Sequence, residues 1–182
     1  MFPSYPPLIF VTFAAMDNVA LVFLVRRALH GPAAEYGIIS AAFGAGMVAA
    51  SLALTVRVNR RPAAFWLTGG VVAGAVGMVL TGIAPSAAVA CAGQAVAGAG
   101  NTADLVGTDT LVQERVPAHM LGRVFGTVYG GAQLASALSY IIAGLLVALT
   151  GPRATFVVGG AGALAGAFVL ASALRSRPAP AL

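Results

Sequence analysis

The chain has 182 residues, of which 59% are hydrophobic and only 8% charged, with a formal charge of +5. A soluble domain carries about 25% charged residues, so the composition excludes an ordinary water-soluble globule and makes lipid the expected solvent. Cys91 is the single cysteine, which excludes a disulfide scaffold, and the basic residues are all Arg, spread between apolar runs rather than gathered into a nucleic-acid surface.

From the start, 1–7 has no basic residue, and Pro3, Pro6 and Pro7 form a stiff lead-in rather than a secretory leader. A bilayer core needs about 20 apolar residues per helix. The apolar runs predict helices over 8–29, 36–56, 64–84, 87–111, 121–149 and 154–174. The breaks carry loop chemistry: Gly31-Pro32, Arg60-Arg61-Pro62, Pro85-Ser86, Pro117 and Gly151-Pro152-Arg153. The expected fold is all-α, a single polytopic domain of six transmembrane helices over 1–182 with a cytoplasmic tail at 175–182.

The first helix carries an internal conflict. Its segment 8–24 holds ten Leu, Ile, Phe or Val residues, each favouring insertion by roughly 0.3–0.6 kcal/mol, while a mid-helix Asp opposes it by roughly 2.5–3.5 kcal/mol. Asp17, with Asn18 beside it, is therefore expected to face protein or water. The second helix is intermediate, with Ser40, Ser51 and Thr55, and the third offers only Thr68 and Thr81.

The fourth helix is the most polar. Gln94, Asn101, Asp104 and Thr108 fall within a sector of about 80°, a stripe about 21 Å long. Asp109 lies off that stripe, toward the helix end. On the fifth helix Tyr129, Gln133, Ser136 and Tyr140 follow i, i+4, i+7, i+11. The sixth offers only Thr155 and Ser172. The pattern predicts a water-accessible cavity lined by the first, fourth and fifth helices, with a smaller share from the second, while the third and sixth are peripheral. The alternative is that these groups hydrogen-bond one another merely to hold the bundle. A buried carboxylate needs a partner or a proton, and no Arg lies mid-helix, so Asp17 and Asp104 are the candidates for proton or cation binding.

Small residues recur at Gly70/Gly74, Gly122/Gly126/Gly130 and Gly162/Gly166, a spacing that lets helices approach closely. Ala63-Ala64-Phe65 before Gly69-Gly70 is echoed by Ala154-Thr155-Phe156 before Gly159-Gly160, as a three-plus-three inverted repeat would produce. Six helices put both termini on one side. Arg57, Arg60, Arg61, Arg115, Arg123, Arg175 and Arg177 outnumber Arg26, Arg27 and Arg153, which sets the termini in the cytoplasm of a multi-pass cell (inner) membrane protein. No His pair, Cys–His pair or H-E-x-x-H spacing occurs, so no enzyme, metal or cofactor is expected.

The stretch 112–126, Val-Gln-Glu-Arg-Val-Pro-Ala-His-Met-Leu-Gly-Arg-Val-Phe-Gly, resembles the tenth-to-eleventh helix junction of major facilitator exporters of the enterobactin-exporter-like group. Glu35-Tyr36-Gly37 with Phe43-Gly44-Ala45-Gly46 resembles the start of their eighth helix. Gly98-x-Gly100-Asn101 resembles their tenth, and Gly151-Pro152-Arg153-Ala154-Thr155 their last loop. The resemblance implies the C-terminal half of a secondary transporter: a proton-coupled exporter of small molecules by alternating access. Helices seven to twelve would be present, with seven, eight, ten and eleven around the cavity. Its partners would be lipid, a small-molecule substrate, and either an N-terminal half or a second copy of the chain. The substrate-cavity candidates are then Asn18, Gln94, Asn101, Thr108, Tyr129, Gln133, Ser136 and Tyr140. In the eighth-to-ninth loop Thr55 stands where the family motif has Gly, and Asn59 where it has Asp. The motif's gating ion pair is thus not carried over, and Arg60 and Arg61, like Arg115 and Arg123, read as cytoplasmic loop anchors.

Overall fold

The computed structural model describes residues 15–175, apart from the side chains of Asn59 and of 173–175. The opening segment of the first expected span, at 8–14, and the tail with Arg177 lie outside the described residues. Within them are six α-helices: α1 (Met16–Phe23), α2 (Ala33–Thr55), α3 (Ala63–Gly82), α4 (Ala87–Arg115), α5 (Leu121–Thr150) and α6 (Pro152–Arg175).

Proline and glycine set most of the boundaries. Pro32 and Pro62 sit in extended conformation directly before α2 and α3, and Pro152 is the first residue of α6, where a missing N–H costs nothing. Gly151, at φ 86°, ends α5 in a conformation that a side chain would resist. One local feature departs from the sequence expectation of a plain helix over 8–29. α1 runs on into a π-helical turn, Leu24–Ala28, closed by the Leu29 amide donating to the Leu24 carbonyl at 2.9 Å. His30 then takes a left-handed φ of 55° and the chain turns into α2.

Among the described residues four segments are long and apolar enough to cross a membrane: Ala33–Thr55, Ala63–Gly82, Ala118–Thr150 and Pro152–Ser172. They leave much apolar surface bare. Leu134, Leu138, Ile141, Leu145 and Leu149 run along one face of α5 and are 60–73% exposed, which suits lipid and not water. The chain is an all-α polytopic membrane protein.

Packing centres on α3 and α4, which run antiparallel in close contact along their lengths. The third helix, expected at the periphery for want of polar residues, keeps Phe65, Val72, Val76 and Leu80 exposed on one face and presses the other against α4. The reason is what it lacks: Gly70 and Gly77 on α3 meet Gly100 and Gly93 on α4, seven residues apart on each helix, and Gly107, seven further along, meets the backbone of Ala63 and Leu67. A Cβ on Gly70 would lie 2.6 Å from the Gly100 carbonyl oxygen, and one on Gly100 would lie 2.6 Å from the Gly70 carbonyl oxygen. Neither helix has room for a methyl group. α2 closes on the other side of α4, where a Cβ on Gly98 would strike the Phe43 carbonyl and Thr102 donates to the Met47 carbonyl at 3.2 Å. Of the other glycine pairs singled out in the sequence, Gly122, Gly126 and Gly130 face open space.

The remaining contacts follow a crossed pattern. α4 packs on α2 and α3, α1 packs on α5 and α6, and α3 packs on α6. One apolar cluster draws on all six helices, with Leu24, Ile39, Met78, Ala90, Val147 and Phe156 buried together. The backbone clasp predicts a sharp difference between neighbouring glycines. Gly70→Ala should lower stability by about 1–3 kcal/mol through overpacking, whereas Gly69→Ala, where a Cβ meets nothing within 4 Å, should stay within about 0.5 kcal/mol. Thermal unfolding of both variants in detergent checks this.

Candidate functional site

Most threonines among the described residues satisfy themselves. Thr68, Thr81, Thr110 and Thr155 each donate to the carbonyl four residues back, at 2.7–2.9 Å, so they place no demand on their surroundings. Of the carboxylates and amides, Asp17, Asn18, Gln94, Asn101 and Asp104 gather in one place, with Thr108 of the same helix as a side-chain partner for Asp104.

A cavity of about 500 Å³ opens between the helices, within the range that takes a drug-sized molecule. α1 contributes Asp17, Asn18 and Leu21, and α4 contributes Gln94, Asn101 and Asp104. Ser136 and Tyr140 come from α5. At one end of the cavity the Gln94 side-chain amide donates to Asp17 Oδ1 at 2.7 Å. Gln94 is only 1% exposed, so α1 and α4 are joined there by a buried, charge-assisted bond. Asp104 lies ten residues further along α4, about 15 Å away along the helix axis, and close to the middle of that helix. Among the described residues that line the cavity none is basic.

Three candidates lie elsewhere. Thr108 is half-buried one turn beyond Asp104 and does not line the cavity. Tyr129 and Gln133 are exposed on α5, below the cavity. Tyr129 instead donates its hydroxyl to Asp109 Oδ1 at 2.7 Å and stacks on Phe125 with ring centroids 6.0 Å apart. Asp109, expected to reach only toward the membrane interface, is therefore held by the neighbouring helix. Arg60, Arg61, Arg115 and Arg123 are exposed in the loops and helix ends. Arg61 lies over the Phe65 ring, its guanidinium carbon 5.3 Å from the centroid, and the indole N–H of Trp66 donates to the Val58 carbonyl at 3.2 Å.

Sequence reasoning missed much of the α2 wall. Tyr36, Ser40, Phe43 and Met47 all line the cavity, and they repeat the i, i+4, i+7, i+11 spacing of the α5 stripe. The signal was a helical stripe that is aromatic and thioether-bearing more than it is polar. Gly74 and Met78 of α3 also reach the cavity floor, a consequence of that helix packing so close to α4. Among the described residues no cluster of His, Cys, Asp or Glu suits a metal ion.

The family profile of the Major Facilitator Superfamily matches residues 7–182, and the chain belongs to that superfamily. No curated protein and no solved structure matches it. Members of this superfamily are membrane transporters and not enzymes, and the chain has the same character.

The cavity geometry predicts water access at α4. Asn101→Cys in a Cys91→Ala background should react with a membrane-impermeant thiol reagent several-fold faster than native Cys91, which is half-buried against the apolar cluster. Labelling rates measured by mass spectrometry check it; equal rates would mean that the cavity is dry or closed.

Proposed function

We propose that this superfamily member is the C-terminal half of a proton-coupled exporter of small molecules, and that it works by alternating access in the cell membrane. The observation that carries the reading is the Asp17–Gln94 hydrogen bond at the wall of an open cavity. Ionisable residues at membrane depth mark ion or substrate pathways, and here two carboxylates face one cavity with no basic residue to neutralise them.

In this reading all six helices cross the bilayer. α4 is too polar to insert by hydropathy, and its polar stripe is turned to the cavity while α2 and α3 cover the rest. The crossed contacts support a three-plus-three inverted repeat: α1 packs on the second and third helices of the later triplet, and α4 on those of the earlier one. The excess of Arg at the α2–α3 and α4–α5 connections supports cytoplasmic termini, with Arg60, Arg61, Arg115 and Arg123 as anchors. Substrate would lie against Asn18, Asn101, Ser136 and Tyr140, with Thr108, Tyr129 and Gln133 along its exit path. The second half, separate or another copy of this chain, would close on α2 and α5. Both helices carry glycines there, Gly37, Gly44, Gly126 and Gly130, where an added Cβ would meet nothing within 4 Å among the described residues.

Asp17 would couple proton to movement. As a carboxylate it accepts a charge-assisted bond from Gln94, which ties α1 to α4. A proton on Asp17 removes the charge and weakens that bond, since neutral hydrogen bonds are roughly half as strong as charge-assisted ones. α1, which otherwise leans on α5 and α6, is then free to shift relative to α4. Asp17→Asn in the assembled transporter should abolish proton-coupled efflux and leave the amount of protein in the membrane unchanged. Proton movement in everted vesicles during a screen of small amphipaths checks this. Full coupling in the variant would remove Asp17 from the mechanism, and no flux from the unmodified protein would favour a bundle that only scaffolds partners.

A further inference from the structure

We infer that the cavity is built for an organic cation, an ammonium group carried on an aromatic or alkyl body, with its charge set against Asp104. This rests on the transporter reading of the same cavity and adds the chemical class of what is carried.

The two carboxylates are not equivalent. Asp17 is engaged by Gln94, whereas Asp104 receives no hydrogen bond from another helix among the described residues. The ten-residue offset along α4 sets them about 15 Å apart in height, too far for one small charged group to serve both. Asp104 is thus the carboxylate open to a ligand. An anion entering here would meet two carboxylates and no basic residue. A neutral polyol would leave Asp104 without its countercharge. A cation supplies that charge.

The walls fit the same ligand. Tyr36 and Phe43 on α2 and Tyr140 on α5 line the cavity, and Tyr36 and Tyr140 remain 39% and 44% exposed. Aromatic faces attract quaternary ammonium groups through the ring quadrupole. Met47 and Met78 add polarisable, adaptable surface for an apolar body. The amides of Asn18 and Asn101 orient a polar substituent but bring no net charge.

The test uses two water-soluble ions of similar size, benzyltrimethylammonium and benzenesulfonate, titrated calorimetrically onto the purified chain in lipid nanodiscs. The ammonium ion should bind saturably and the sulfonate should not. Asp104→Asn should weaken the ammonium ion about ten-fold or more, as loss of a desolvated charge partner does. Glu114→Gln makes the same charge change at the exposed end of α4, outside the cavity, and should leave binding as it was. Phe43→Leu should also weaken the cation, which covers the case in which the Asp104 variant fails to fold. Equal binding of both ions, or cation binding unchanged in both Asp104→Asn and Phe43→Leu, would overturn the inference. If it is overturned while Asp17→Asn still abolishes efflux, the substrate class is wrong and the transporter reading stands.

Discussion

The rest of the bundle depends on the contact between α4 and the two helices that clasp it. By composition α4 is the helix least suited to lipid. Asp104 alone opposes insertion by roughly 2.5–3.5 kcal/mol on an insertion scale, and Asp109 adds a smaller cost nearer the helix end. Yet it is held between two neighbours, with α3 on one side and α2 on the other. Glycine makes this possible. In lipid there is no hydrophobic drive between helices, so association rests on close packing of backbones and on polar contacts. Gly93, Gly100 and Gly107 let the α4 backbone touch the α3 backbone directly. With one flank sealed in this way, the polar stripe has only one direction left, and that direction is the cavity.

The same contact explains why α1 suits a coupling role. α2, α3 and α4 form one tightly packed group, and α1 leans mainly on α5 and α6. The Asp17–Gln94 bond links the two groups across the cavity. The Tyr129–Asp109 bond links them again lower down, between α5 and the end of α4. Apolar packing of α6 on α3 joins the two groups as well. On the cavity side the joints are these polar ties, made by residues that can change charge or lose a partner, and a joint of that kind can have two packings.

How much of this is legible in the sequence follows from which signal each feature leaves. The helices announce themselves because Pro32, Pro62 and Pro152 start them and Gly151 stops one. The cavity side of α4 is legible because Gln94, Asn101 and Asp104 have no polar competitor on that helix face. The close contact of α3 with α4 is not legible from polarity, since it is made by missing side chains. Its glycines acquire meaning only when paired with glycines seven residues apart on another helix. The α2 wall is half legible: the spacing of Tyr36, Ser40, Phe43 and Met47 is regular, but an aromatic and Met stripe in an apolar helix looks like lipid contact. The π turn after Phe23 and the reach of Tyr129 to Asp109 depend on tertiary geometry that periodicity does not encode.

The central claim is that a helix too polar to enter a bilayer alone crosses it because its neighbours clasp it. The most direct measurement is the sidedness of its two ends. Single cysteines at Ser86 and Ala118, in a Cys91→Ala background, would be probed with an impermeant reagent in right-side-out and inverted vesicles. The account predicts labelling from opposite sides, with position 118 reached only from the cytoplasmic face. Labelling of both positions from the same side would contradict it, because α4 would then not span the membrane and its polar stripe could not line a transport cavity.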